Sequence, residues 1–211
     1  MSETAKQQVF LIDDDEAVRD ALSMLLESSG IAHRSFTDAA DFLKHYNEQL
    51  RGCLVLDIRM PEMNGLELQA RLNTLKSTLP IIFMTGHGDV PMAVEAMRLG
   101  ALDFMRKPVN ELVLLERINQ ALSDEHETRK QTLDIQQLFE KFESLSQREM
   151  QVFYRVADGQ ANKAIAIDLT ISERTVEVHR AQVMKKLTVT TLAQLVRTSI
   201  RLEQIKPAVK R

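Results

Sequence analysis

Through residue 122, short apolar runs alternate with stretches in which apolar side chains return every three or four positions. The runs at 9–12, 53–56, 81–84 and 101–105 have strand length, and the stretches between them read as helices. Such repeated βαβ units imply a parallel sheet. Val18, Ala21, Leu22 and Leu25 make one helical stripe, with Gly30 where that helix should stop. Further stripes follow at Ala39, Phe42, Leu43 and Tyr46, at Leu68, Leu72 and Leu75, at Ala93, Val94 and Met97, and at Leu112, Leu115, Ile118 and Leu122. Five strands and five helices fit this part of the chain.

Farther on the pattern is helical only. Residues 123–141 are mostly polar, with charges of both signs and neither proline nor glycine, yet Ile135, Leu138, Phe139 and Phe142 keep helical spacing. The stretch reads as a continuous or broken helix, either a stiff connection or a helix resting on the second domain. Leu-Ser-Gln-Arg-Glu at 145–149 carries a capping box, Ser146 with Glu149, opening a helix through Met150, Phe153 and Val156 that Gly159 ends. Asn162 and Ser172 are placed to cap two more helices with Thr170 and Ile171 between them, the proportions of a helix-turn-helix. A last helix carries Leu192, Leu195, Val196 and Ile200.

The 211 residues suffice for one large or two modest domains, and no run approaches the roughly 18 apolar residues of a membrane span. The amino terminus has no basic segment followed by an apolar one, so a soluble, cytoplasmic protein without membrane contact is expected. Cys53 is the only cysteine, which excludes an intramolecular disulfide and a thiolate cluster and suits a small buried side chain. The net charge of −3 hides an asymmetry: residues 1–140 hold 14 Lys and Arg against 23 Asp and Glu, net −9, and residues 141–211 hold 13 against 7, net +6. Only the second part is suited to an anionic polymer, with a solvated basic surface as the plainer alternative.

The polar residues that close the apolar runs add chemistry. Asp13 and Asp14 follow the first run, Asp57 the second, Thr85 the third and Lys107 the last. Parallel strands would gather them on the carboxyl edge, where open α/β sheets hold their ligands. Carboxylates crowded there raise one another's pKa unless a cation is shared. Mg²⁺, with Mn²⁺ as a substitute, accepts one or two carboxylates and keeps water positions for a phosphate oxygen. Asp57 then serves as nucleophile, Lys107 as counter-charge to a phosphoryl group, and Thr85 as a hydroxyl that senses phosphate. Taken singly, the pieces have plainer readings: the acids at 13–15 as helix caps, Lys-Pro as a turn, Thr85 as a loop residue.

Together these residues resemble a known family. Phe-Leu-Ile-Asp-Asp-Asp at 10–15, Leu-Val-Leu-Asp-Ile-Arg-Met-Pro at 54–61, Met-Thr-Gly-His-Gly-Asp at 84–89 and Asp-Phe-Met-Arg-Lys-Pro at 103–108 are similar, in order and spacing, to the receiver domain of bacterial two-component response regulators. The resemblance implies a doubly wound, flavodoxin-like α/β domain with five parallel strands, phosphorylated on Asp57 by a partner histidine kinase. It implies Mg²⁺ ligated by the carboxylates of Asp14 and Asp57 and the backbone carbonyl of Arg59, with Asp13 completing the acidic pair. Lys107 would contact the phosphoryl group, and the Lys107–Pro108 bond would be cis. In the implied switch Thr85 moves toward the phosphate and Phe104 turns inward. Phe104 stands where many relatives carry tyrosine, so its orientations should differ by packing alone. Arg59 and His87 occupy the two positions that tune dephosphorylation in the family.

The helix after Ser172 sorts into two faces. Val176, Val183, Met184 and Leu187 point one way, with His179 among them as a packed or hydrogen-bonded side chain. Arg174, Glu177, Val178, Ala181, Gln182 and Lys185 form a second stripe of small, polar and basic residues that suits a major groove. Glu177 could accept from a cytosine amino group, Val178 and Ala181 could touch thymine methyls, and Arg174, Arg180, Lys185, Lys186 and Lys163 could bind phosphates. Leu-Ser-Gln-Arg-Glu at 145–149, Asn-Lys-Ala-Ile-Ala at 162–166 and Ser-Glu-Arg-Thr-Val-Glu-Val-His at 172–179 resemble the LuxR-type helix-turn-helix. With Gly-His-Gly-Asp-Val-Pro-Met-Ala-Val-Glu-Ala-Met at 86–97, the whole chain resembles FixJ-type regulators of the NarL class. That likeness implies dimers through the fourth receiver helix and fifth strand, at Val90, Pro91, Met92, Val94, Glu95 and Arg106.

The expected architecture is an α/β receiver at 7–124, a helical linker at 125–141 and an all-α helix-turn-helix domain at 142–206. The expected protein is no enzyme but a phosphorylation-dependent transcription activator. Its implied partners are a sensor histidine kinase, double-stranded promoter DNA, RNA polymerase and, once phosphorylated, a second copy. Two rivals are weighed. A Mg²⁺-dependent aspartyl-phosphate phosphatase of the haloacid dehalogenase type would need its Asp-x-Asp nucleophile after the first strand, where Asp15 instead leads into a helix. A phosphorelay adaptor would use the helical domain to bind protein.

Overall fold

The computed structural model describes residues 6–86 and 90–209, with side chains through residue 205. The chain divides into two compact units between Lys130 and Gln131. The first contains β1 (Gln8–Ile12), α1 (Glu16–Ser28), β2 (His33–Phe36), α2 (Ala39–His45), β3 (Gly52–Asp57), α3 (Gly65–Thr74), β4 (Ile81–Thr85), α4 (Val90–Arg98) and β5 (Asp103–Arg106). Its strands are all parallel, in the order β2-β1-β3-β4-β5.

Side-chain alternation along the strands separates two cores. Phe10, Ile12, Leu54, Leu56 and Phe83 point to one face, where Phe42 of α2, Leu68 and Leu72 of α3 and Ala96 of α4 cover them. Val9, Leu11, Cys53, Val55, Ile82 and Met84 point to the other, against Leu26 of α1 and Leu114, Ile118 and Ala121 of the helix after β5. With both faces covered, central strands must be apolar throughout, and β3 is buried at every residue. Each large side chain so enclosed contributes about 1.5–3 kcal/mol.

The helix after β5, α5 (Glu111–Glu143), runs unbroken through the stretch expected as linker. Its buried face keeps Leu115, Ile118 and Leu122 of the expected stripe, adds Leu114 and Ala121, and loses Leu112. Leu114, Ile118 and Ala121 are enclosed while Leu112 is 77% exposed. The polar composition from residue 123 also conceals an anchor, because Glu125 is buried and accepts from Arg51 Nε (3.3 Å), Arg51 Nη2 (3.2 Å) and Gln7 Nε2 (2.6 Å) at the amino end of the sheet. A buried carboxylate survives because each oxygen has a donor.

The second unit contains the end of α5 and α6 (Gln147–Ala157), α7 (Asn162–Leu169), α8 (Glu173–Leu187) and α9 (Leu192–Val209). Val152, Phe153, Val156, Ile165, Leu169, Val176, Val183, Leu187, Leu195 and Leu202 form its core, which Phe142 of α5 enters while Leu138 and Phe139 lean on it. The Ser146–Glu149 capping box forms, and Ser172 caps α8 by accepting from Thr175 N. Asn162 does not cap α7: Ala161 occupies the cap without a side-chain bond, and Asn162 is the first helical residue. Thr170 ends α7 in the left-handed region at φ 56°, making the tight turn into α8. Among the described residues no helix is long and apolar enough to cross a membrane.

Candidate functional site

Asp13 lies one residue past β1 and Asp57 ends β3, the neighbouring strands between which the sheet order reverses. The diverging connections leave a crevice at this switch point. Asp15 takes a separate task, its Oδ1 capping α1 by accepting from Ala17 N (2.9 Å) and Val18 N (3.4 Å). Asp13, Asp14 and Asp57 each place a carboxylate oxygen within 4.8 Å of the others; Asp13 and Asp57 are buried and Asp14 is exposed. Lys107 Nζ bridges the two buried acids, 2.5 Å from Asp13 Oδ2 and 3.2 Å from Asp57 Oδ1. The backbone N–H of Arg59 donates to Asp57 Oδ2 (3.1 Å).

Burial holds the Asp57 carboxyl above the ordinary carboxylate range; Lys107 pulls it down, Asp13 pushes it up, and Arg59 N–H adds a small downward pull. Burial alone would depress the Lys107 ammonium, but hydrogen bonding and charge from Asp13, then Asp57, outweigh it and hold the group above its usual value. Three carboxylates facing one ammonium leave two uncompensated negative charges in a set of hard oxygen donors. That donor set fits a small divalent cation such as Mg²⁺.

Register places the remaining candidates. Asp57 pairs with Met84, which puts Thr85 one residue farther along the same edge; Thr85 is buried and its carbonyl accepts from Lys107 N (2.8 Å). Phe104 pairs with Phe83 and packs half-buried against the core behind the site. The Lys107–Pro108 bond is cis. His87 lies outside the described residues.

Two contributors escaped the sequence reading. Gly65 opens α3 with its N–H on Ile58 O (2.9 Å), and a Cβ there would stand 2.4 Å from the Asp57 carbonyl oxygen and 3.0 Å from the Phe83 ring. Only glycine lets α3 start this close to the strand end that carries Asp57. The other is Arg19, whose Nη1 donates to the backbone carbonyl of Asp13 (2.7 Å). A glycine after an Asn at a helix start, and an arginine six residues beyond an acid, are too common to stand out.

In the second unit, Arg174, Glu177, Val178, Ala181, Gln182 and Lys185 lie along α8 and are all exposed, and Lys163 stands at the start of α7. His179 lies among them in sequence and is not part of the buried core. Arg180 donates through Nη1 to Asn162 Oδ1 (3.3 Å), tying α8 to the start of α7. Lys186 has partners within the protein. Its Nζ donates to Glu149 Oε2 (2.6 Å) and Ser144 O (2.9 Å), fastening the end of α8 to the cap of α6. On the first unit, Val90 and Val94 are exposed along α4, which also carries Pro91 and Glu95, and Arg106 is exposed on β5, while Met92 is partly buried against the core. The α4 stripe of Val94 and Met97 faces outward, and Ala96 alone is buried.

Comparison with known proteins accounts for both units. Residues 9–119 match the response regulator receiver domain, and residues 143–199 match the bacterial regulatory proteins of the luxR family. The response regulator protein TodT of Pseudomonas putida is 46% identical over 195 residues, covering 92% of this chain and 86% of its own. The transcriptional regulatory protein FixJ of Azorhizobium caulinodans is 46% identical over 200 residues, covering 95% and 94%. Among solved structures, the response regulator StyR superposes with a TM-score of 0.89 at 45% identity, over 93% of this chain and all of its own. Full-length FixJ from B. japonicum gives 0.59 at 43% identity, over 95% and 99%.

Proposed function

Because this chain belongs to the response regulators that join a receiver domain to a LuxR-type DNA-binding domain, and so to a family of transcription regulators, we propose that Asp57 is its phosphoacceptor and that phosphorylation licenses the helical unit to hold promoter DNA. A receiver implies a histidine kinase as donor. A carboxylate oxygen of Asp57 attacks the phosphorus of the phosphohistidine; the P–O bond forms as the P–N bond breaks, and the released imidazole takes up a proton. Lys107 follows the charge from the carboxylate to the phosphoryl oxygens, and Asp13 keeps the ammonium in place. Asp13, Asp14, Asp57 and the backbone carbonyl of Arg59 would hold Mg²⁺ or Mn²⁺, which supplies charge neutralisation at the transferring group.

Thr85 and Phe104 then carry the change to the surface formed by Val90, Pro91, Met92, Val94, Glu95 and Arg106, where two copies pair. Each copy presents α8 to one half-site, with Lys163, Arg174, Arg180 and Lys185 toward phosphates and Glu177, Val178, Ala181 and Gln182 toward base edges. Bound in the cytoplasm upstream of a promoter, the pair activates transcription by contact with RNA polymerase. The domains act as a receiver at 7–124, a connecting helix at 125–141 and a DNA-binding domain at 142–206. The luxR-family match favours DNA over protein as the ligand of the helical unit.

One observation carries this reading: a single ammonium bridging two buried carboxylates at the sheet's switch point, with a third carboxylate in reach. The test is intact mass and sizing after treatment with acetyl phosphate and Mg²⁺. Wild type should gain one phosphoryl adduct and shift toward a dimer, while Asp57→Asn should do neither. An adduct that persists in Asp57→Asn would refute the choice of nucleophile.

A further inference from the structure

Asp13 is held at every polar atom. Its N–H donates to Phe36 O (3.3 Å), its Oδ1 accepts from Asp15 N (3.1 Å) and its Oδ2 accepts from Lys107. Its carbonyl lies beyond the last β1 pairs, those of Ile12 with Phe36 and Leu56, so no sheet partner is available to it. Arg19 Nη1 meets it instead, at 2.7 Å, from a half-buried position on α1.

That carbonyl belongs to the peptide plane joining Asp13 to Asp14. Its direction fixes the dihedrals on either side, and with them the direction in which the Asp14 side chain leaves the chain. Asp14 is exposed, and among the described residues no hydrogen bond or ion pair holds its carboxylate. The backbone sets the direction of its Cα–Cβ bond. A guanidinium near a helix N-terminus is disfavoured by the macrodipole, so Arg19 gains its position through the carbonyl and the acids around it.

We propose that Arg19 is a positioning residue of the acidic pocket, holding the 13–14 peptide so that Asp14 converges with Asp13 and Asp57 on a divalent cation. The proposal rests on reading the pocket as a cation-dependent phosphoacceptor site. Arg19 touches neither cation nor phosphoryl group and acts through Asp14.

The test compares wild type, Arg19→Ala and Arg19→Lys in the full-length protein. It uses Mg²⁺ titration by calorimetry, thermal melting in chelator, and labelling by acetyl phosphate at limiting and saturating Mg²⁺. Arg19→Ala should bind Mg²⁺ about tenfold more weakly, as loss of an outer-shell partner does. Its labelling should slow at limiting Mg²⁺ and return to within about twofold of wild type at saturation, the mark of lost binding and not lost chemistry. Arg19→Lys, which keeps a donor with comparable reach, should recover most of the affinity. Unchanged Mg²⁺ affinity in Arg19→Ala, with or without a lower melting temperature, would reduce Arg19 to a fold residue and overturn the proposal. So would an Arg19→Lys variant as weak as Arg19→Ala. Absence of Mg²⁺ binding by wild type would overturn the reading of the pocket and the proposal with it.

Discussion

Burial raises the Asp57 carboxyl against the pull of Lys107, and that has a cost to the fold. A carboxyl with a raised folded pKa holds its proton more tightly when folded, so its ionised form lowers stability at neutral pH, and the loss is relieved as pH falls through the folded value. Asp57→Asn should therefore melt above wild type at neutral pH in chelator, and the gap should close toward the ordinary carboxylate range. Mg²⁺ should raise the melting temperature of wild type and do little for the variant. Melting curves across pH, with and without Mg²⁺, check this; an Asn variant no more stable than wild type at neutral pH would contradict it. At this scale Asp13, Asp14, Asp57, Thr85 and Lys107 are readable because an ionisable or hydroxyl group directly after an apolar run is unusual. Arg19 and Gly65 are not, since one acts through a carbonyl and the other through the side chain it lacks.

Between elements, Lys186 joins the recognition-helix end to the cap of α6. The hydrogen bond from Lys186 holds the Glu149 carboxyl below its usual range; burial opposes this, and Ser146 adds to it. A depressed folded pKa stabilises above the unfolded carboxylate range, and the contribution disappears as pH falls through the folded value. Glu149→Ala should destabilise the helical unit by about 2 kcal/mol near neutral pH through the lost cap and charged hydrogen bond, and by much less in acid. Lys186→Met should act on the same bond, so the double variant should cost less than the two single costs combined. Calorimetric unfolding of the four proteins measures this, and strict additivity would show the bond to be idle. The stripes on α4 and α5 carry a related point. Periodicity identified both helices, yet Val94, Met97 and Leu112 face outward, because apolar spacing marks a face without saying what covers it.

Across the whole molecule, the acidic first part and basic second part predict how DNA affinity responds to salt. Binding should weaken steeply as salt rises, and Arg174→Ala or Lys185→Ala should each flatten the log–log slope by about one. Lys186→Met should leave the slope unchanged, since its ammonium is spent on Glu149. Titrations of a promoter fragment at several salt concentrations decide this, and a flattened slope for Lys186→Met would return that residue to the DNA contacts. The sequence by itself determined the alternation of strands and helices apart from β2, whose His-Arg-Ser-Phe makes no apolar run, together with the acids, hydroxyl and lysine of the pocket, the capping box that opens the second unit and the polar stripe of α8. Each is written in local spacing and residue type. Only the tertiary structure decided that Arg19 holds the Asp13 carbonyl, that Glu125 is a buried anchor, and that Lys186 reaches Glu149. Those outcomes depend on which distant donor comes within about 3 Å of which acceptor, and chain spacing carries no record of that distance.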